Sequence, residues 1–375
     1  MKKVVMFEAI ATLMAFIIGA GILGLPYVIA KSGFLIGMIE IIILGAILLI
    51  TNLMMGEVML RTNGDHQLPG YAKKYLGKFG KIIMLIAIIF GLYGPLLAYM
   101  IGTGEALHAI FPVVTPFVFS IIIFVILSAM IYLGLKAIEE SEFGMMFVLI
   151  AIILAICIIA IFSGNFNTAY LQDFNMLKFA LPYGVVMFAL MGTPALPEVR
   201  EELKNNRGLL KKVIIWGSAL PIILYIIFTL AVIGVTGAST TEIATLGLGA
   251  IIGPKMVLLG NLLAIFAMTT SFMAVGLALK EVYKFDLKMS KNLAWFLTII
   301  IPLVLFLVGA RNFIKTLGYA GAVAGGLMSI LVVFMFWQAK KYGERKPEYQ
   351  LKKNCWISIL IIIVFILGIA YQFWF

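Results

Sequence analysis

Long runs of apolar residues, each about one membrane span in length and parted by short polar stretches, organise this chain. A helix rising 1.5 Å per residue needs about 20 apolar residues to cross a hydrocarbon layer about 30 Å thick. The runs fall at 5–30, 33–60, 82–110, 115–135, 143–163, 180–200, 212–236, 254–280, 291–309, 312–338 and 355–374. They predict an all-α polytopic membrane protein with about eleven transmembrane helices. Between spans 2 and 3, Leu-Pro-Gly-Tyr-Ala-Lys-Lys-Tyr-Leu-Gly-Lys predicts a short amphipathic helix on the membrane surface.

Two runs are interrupted. Residues 17–27 read Ile-Ile-Gly-Ala-Gly-Ile-Leu-Gly-Leu-Pro-Tyr, and residues 188–198 of span 6 carry Gly192, Pro194 and Pro197. Inside a helix Gly costs roughly 1 kcal/mol and Pro roughly 3 kcal/mol relative to Ala. In hydrocarbon every backbone N–H and C=O needs a partner, so a break at membrane depth exposes those groups to a ligand or ion. The breaks lie about 172 residues apart, one five-helix unit, on spans that run in opposite directions. Paired interruptions of this kind point to an inverted-repeat transporter with a site at mid-membrane. The expected organisation is one domain over 1–375, with repeats at about 5–163 and 180–338 and an extra helix at 355–374. Half-helix N-termini suit a carboxylate, and freed carbonyls suit a cation or an ammonium group. A zwitterionic amino acid offers both charges. No basic residue lies near either break, which favours a neutral one.

Composition and charge fix the class and the orientation. Of 375 residues 63% are hydrophobic and 12% charged, which a soluble globular protein does not need. The net charge of +11 does not indicate nucleic acid, because the basic residues fall between hydrophobic runs. With the N-terminus inside, residues 2–3 and the loops near 61–81, 136–142, 200–212, 280–291 and 339–354 hold 23 of the 28 Lys and Arg. That bias predicts a cytoplasmic N-terminus and an outside C-terminus. The start resembles a signal peptide, but the apolar run is too long and lacks a cleavage site, so a retained helix is expected. The outside loops near 163–180 and 236–254 are long enough for structure of their own. The second opens with Thr-Gly-Ala-Ser-Thr-Thr-Glu, expected to cap a helix that either forms a lid or packs on the bundle. Cys157 and Cys355 form no disulfide framework and no metal spacing.

Three stretches carry a family resemblance: Gly19-Ala-Gly-Ile-Leu-Gly-Leu-Pro26-Tyr27, Leu68-Pro-Gly-Tyr71, and Pro197-Glu-Val-Arg-Glu-Glu-Leu203. The chain resembles the amino acid/auxin permease family, within the amino acid–polyamine–organocation superfamily, over essentially its whole length. The resemblance implies the LeuT-type fold of five-plus-five inverted repeats and secondary amino acid transport driven by H⁺ or Na⁺. It implies a substrate site at Gly19, Ala20, Gly21, Gly192 and Thr193. In sodium-coupled members of this fold an ion lies between carbonyls before the first break and hydroxyls on span 8. That implies the carbonyls of Ala15 and Ile18 with Ala267, Thr270 and Ser271. The alternative is that these hydroxyls bond carbonyls one turn back. Some proton-coupled relatives use a lysine on span 5, where this chain has no ionisable group but Cys157.

Further candidates come from the residues themselves. Glu105, in a glycine-rich stretch of span 3, is the best carboxylate for proton coupling or gating, with an interfacial Glu as the alternative. Glu40 lies fairly deep in span 2. Glu57 is read as structural, paired with Arg61 one turn on. Glu198 and Arg200 suit an inner-gate ion pair. Phe188 could close over the substrate, and the hydroxyls of Tyr93 and Tyr99 could reach its carboxylate; lipid-facing or core packing is the alternative for each. The small residues of 319–326 either let helices approach or widen a cavity.

No metal cluster beyond a bound Na⁺, no cofactor, no nucleic acid and no obligatory protein partner is implied; the expected partners are the substrate and the bilayer. The chain reads poorly as an enzyme, since His66 and His108 are far apart and no nucleophile–base constellation exists. A nucleotide-driven pump lacks its domain. A channel would favour a repeated pore segment. The reading is a cation-coupled neutral amino acid symporter, working by alternating access in the cell membrane. The non-transport alternative is an amino acid sensor on the same fold, which usually adds a partner-binding tail.

Overall fold

The computed structural model describes residues 2–134 and 142–374. The predicted loop 136–142 lies largely outside the described residues. Among the described residues every regular element is a helix. Seven helices are by themselves long and apolar enough to cross a hydrocarbon layer. One bent pair, α1 (Lys2–Ile17) with α2 (Gly21–Ser32), is a further candidate.

α1 and α2 meet at 54° across residues 18–20. The interruption read over 17–27 is thus narrower than expected, because Pro26 lies inside α2 and the glycines alone make the break. α3 (Phe34–Leu60) follows a tight turn at Gly33, whose φ of 98° requires glycine. α4 (Leu68–Ile110) holds the predicted surface helix and a span, parted by non-helical backbone at Gly77 (φ 73°, ψ −164°). Leu68, Pro69, Tyr71 and Ala72 of its first part are buried, while Lys73 and Lys74 face outward.

α5 (Pro116–Leu133) and α6 (Glu142–Phe162) precede a loop with two 3₁₀ turns, Thr168–Leu171 and Met176–Lys178. The second break separates α7 (Tyr183–Leu190) from α8 (Leu196–Glu202). α9 (Leu210–Thr236) leads to the short α10 (Ala244–Ile252). The expected threonine cap of α10 is displaced: Thr241 accepts the Gly247 N–H at 2.9 Å from two residues before Ile243, which occupies the cap position. Then come α11 (Pro254–Glu281), α12 (Lys291–Leu307), α13 (Phe313–Tyr319), α14 (Gly326–Tyr342) and α15 (Cys355–Trp374). A π-helical stretch over residues 320–325 joins α13 to α14.

α4 packs on α5, α11 and α14, and α9 on α1 and α3, which places both broken pairs at the centre. The end of the bundle near Lys2 and the α3–α4 loop, the basic end, is crossed by the segment 343–354. There Glu57, fully buried, pairs with Arg61 at 2.8 Å and Lys340 at 2.7 Å and accepts the Leu351 N–H at 2.6 Å. Tyr349 donates to the Leu53 carbonyl at 2.6 Å, and the Glu344 N–H donates to the Arg61 carbonyl at 2.9 Å.

Candidate functional site

The first break is a tight reversal. The Ile18 N–H donates to Met14 O at 2.7 Å, the Gly19 N–H to Ile17 O at 2.9 Å, and α2 begins with Leu23 N–H to Ala20 O at 3.1 Å. At the second break Met191 is extended (φ −72°, ψ 109°), and a 3₁₀ turn over Thr193–Ala195 precedes α8. Each break sets a helix C-terminus against the start of a second helix. At the second break the Ala195 N–H donates to the Gly192 carbonyl at 3.2 Å and the Leu196 N–H to the Thr193 carbonyl, and Pro197 has no N–H.

The two breaks touch. A Cβ on Gly21 would lie 2.9 Å from the Ala189 Cα and 3.2 Å from Phe188 Cδ1, so only glycine lets α2 and α7 approach this closely. A Cβ on Gly192 would lie 2.8 Å from Ile17 Cδ1. Above Gly19 stand Ser271 of α11 and Tyr99 of α4, 3.4 Å and 3.6 Å from where its Cβ would be. The Tyr99 and Ser271 hydroxyls thus flank the same point beside Gly19. The structure therefore brings Gly19, Gly21, Tyr99, Phe188, Gly192 and Ser271 around the breaks, with Ala20 and Ile18 buried beside them.

Thr193 is held differently from expectation. Its hydroxyl donates to Asn52 Oδ1 of α3 at 2.8 Å, and Asn52 Nδ2 lies 3.4 Å from Ser218 Oγ of α9. Thr270 donates to the Phe266 carbonyl one turn back at 2.9 Å, with the Ala267 carbonyl at 3.2 Å. Tyr225 of α9 joins the two breaks: its hydroxyl is 2.6 Å from Ile17 O and 3.1 Å from Ala189 O. The motifs did not mark Tyr225, Asn52 or Ser218. Their only signal is polarity inside a span, where a buried hydroxyl or amide needs a partner.

An aggregate of freed N–H groups, freed carbonyls and hydroxyls, enclosed by apolar helices and holding no ionised side chain, is suited to a small zwitterion. The comparisons with known proteins agree. The tryptophan/tyrosine permease family model matches residues 2–372. The chain belongs to the tryptophan/tyrosine permease family. This permease is 29% identical to the tyrosine-specific transport system 1 of Haemophilus influenzae, over 94% of this chain and 92% of that protein. It is 26% identical to glutamine transporter 2 of Aliivibrio fischeri, over 82% of each chain. The fold matches the crystal structure of MhsT in complex with L-phenylalanine, with a TM-score of 0.71 at 15% identity over 97% of both chains. The permease is thus a multi-pass membrane protein of the LeuT-type fold and an amino acid transporter, not an enzyme.

Other predicted residues of the permease fall away from the breaks. Tyr93 bonds the Tyr283 hydroxyl at 2.6 Å and the Leu297 carbonyl at 2.9 Å, so it ties α4 to α12 instead of reaching a substrate. Glu105 lies on α4, half-buried, within electrostatic reach of Glu242, which accepts the Asn312 amide at 2.7 Å. Glu40 lies near Tyr183 and Tyr371. Arg200 pairs with Asp65 and donates to the Thr62 and Gly64 carbonyls at 3.3 and 3.0 Å, anchoring α8 to the α3–α4 loop. The small residues of 319–326 serve close approach: a Cβ on Gly321 would meet the Gly184 carbonyl, and Ala320 and Ala324 sit against Gly94 and Gly91.

Proposed function

We propose that the permease is a symporter that carries a neutral amino acid by alternating access, driven by Na⁺ or H⁺. The observation that carries this reading is the contact of the two breaks at Gly21 and Ala189, beside the Tyr225 bridge. The substrate carboxylate faces the N-terminus of α2 and the backbone of the second break, near Gly19, Ala20, Gly21, Gly192 and Thr193. The side chain lies toward Phe188 and Tyr99. Relatives named for tyrosine and glutamine support a neutral substrate, with aromatic amino acids first to test.

The Na⁺ site of the proposal comprises the carbonyls of Ala15, Ile18 and Ala267 with the hydroxyls of Thr270 and Ser271; Glu105, away from the breaks, is the separate candidate carboxylate for proton coupling or gating. Ser271 beside Gly19 supports the first, and the half-buried setting of Glu105 the second. In this reading two repeats, at about 5–163 and 180–338, form the domain and α15 is added to them. The basic end faces the cytoplasm of a cell that carries the permease in its plasma membrane, with the C-terminus outside. The broken pairs rock against spans 3, 4, 8 and 9.

Uptake into proteoliposomes tests the proposal. Labelled tyrosine, tryptophan, phenylalanine and glutamine are offered under an imposed Na⁺ or H⁺ gradient. Gradient-driven accumulation of at least one is expected. Sodium-independent uptake that a Thr270→Ala, Ser271→Ala double change leaves intact would remove the Na⁺ site. Binding without accumulation under either gradient would overturn the symporter.

A further inference from the structure

The C-termini of α1 and α7 end at the same point in the bundle. A helix C-terminus carries a partial negative charge and carbonyls without helical donors. Two such ends brought together repel unless something positive stands between them: a cation, an ammonium group or the hydrogen of an O–H. Tyr225 supplies the last. It is fully buried on α9, its hydroxyl 2.6 Å from the carbonyl oxygen of Ile17, the last residue of α1. The same oxygen is 3.1 Å from the carbonyl of Ala189, in the last turn of α7. Ile17 O also accepts the Gly19 N–H at 2.9 Å, which leaves one lone-pair direction for the phenol. A hydroxyl has a single proton, so the shorter bond to Ile17 takes most of it, and Ala189 O receives a weaker share.

We propose that Tyr225 is a positioning residue: its O–H holds the two freed helix ends at the separation the amino acid requires, in the place a bound cation would otherwise fill. The proposal rests on the reading that the breaks form the substrate site. Tyr225 meets the carbonyls of the breaks and not the N-terminus of α2, which is left for the carboxylate. The neighbouring phenol of Tyr99 stands instead beside Gly19 with Ser271. Removing only the Tyr225 oxygen would leave two carbonyl oxygens converging on a vacated space, a donor set for a small monovalent cation.

Tyr225→Phe tests this, with binding measured on the monodisperse protein in nanodiscs by thermal-shift titration with the amino acid that the uptake panel identifies. Loss of one hydrogen bond at the site is expected to weaken apparent affinity about tenfold. High Li⁺ or Na⁺ is expected to recover most of that loss in Tyr225→Phe. Tyr99→Phe, which leaves the bridge in place, is expected to show no such recovery. Unchanged affinity in Tyr225→Phe, a loss that no cation from Li⁺ to K⁺ recovers, or equal recovery in Tyr99→Phe would each overturn the proposal.

Should Tyr225→Phe not fold, 3-fluorotyrosine at 225 keeps the shape and makes the hydroxyl a stronger donor. A rise in affinity of about twofold is expected, and no shift would overturn the role. Gly21→Val separates this inference from the reading beneath it. If no panel amino acid distinguishes wild type from Gly21→Val, the site reading fails. If Gly21→Val abolishes binding and Tyr225→Phe leaves it intact, only the role of Tyr225 fails.

Discussion

At the residue scale the site depends on places where a single carbon does not fit. A Cβ on Gly21 would lie 2.9 Å from the Ala189 backbone, and neither partner is a flexible side-chain tip. Gly21→Ala should therefore push the breaks apart and lower substrate affinity about tenfold or more, since sub-ångström misplacement of a binding group is costly; titration of purified protein reads it. Glu57 shows the opposite economy, a buried carboxylate between two cations and a backbone N–H. Glu57→Leu strands Arg61 and Lys340 and should cost about 3 kcal/mol of stability, read as a lowered melting midpoint. The sequence pointed to the glycines and to the Glu57–Arg61 pair because both are local: a breaker inside an apolar run, and opposite charges one turn apart. It did not reveal Tyr225 with Ile17, Thr193 with Asn52 or Arg200 with Asp65. Those pairs join residues more than a hundred positions apart, and only packing decides which hydroxyl meets which carbonyl.

At the element scale seven of the apolar runs correspond, among the described residues, to helices long enough to span, because length and composition decide a span. The elements the sequence misjudged are those where backbone geometry overrode residue type. Pro26 was expected at a break and is instead helical, since the glycines at 19 and 21 already interrupt the chain. The surface helix expected between spans 2 and 3 turns into the span at Gly77, which accepts a φ of 73° where other residues strain. No atom lies within 4 Å of the position a Cβ would take at Gly77, so Gly77→Ala isolates that conformational cost. A destabilisation of about 1–2 kcal/mol is expected, again measurable by thermal unfolding. Tighter packing governs the π-helical stretch, where a Cβ on Gly321 would run into the carbonyl of Gly184. Substitution there should reduce the yield of folded protein more than Gly77→Ala does.

At the scale of the whole molecule the basic end is knitted across elements distant in the chain. Arg200 holds α8 to the α3–α4 loop, and Glu344 ties the segment 343–354 to α4 through Lys74 at 2.6 Å and to that loop through the Asn63 N–H at 2.8 Å. The hydrogen bond from Lys74 keeps the Glu344 carboxyl below its usual range. A depressed carboxyl contributes stability that is present above its unfolded pKa and lost as pH falls through the folded one. The difference in melting midpoint between wild type and Glu344→Gln should thus be constant from pH 5 to 8 and shrink below about pH 4. The segment 343–354 has one more consequence. It contains Arg345, Lys352 and Lys353, yet its backbone N–H groups at Glu344, Arg345 and Leu351 are bonded to α3 and the residues just after it. Trypsin needs free, extended chain to cut, so cleavage after Arg345 should be slow while these bonds hold and faster when that end opens, with the exposed Lys352–Lys353 site as the unprotected control. Comparing the two cleavage rates on a gel, with and without amino acid, would therefore report without a label whether substrate opens that end.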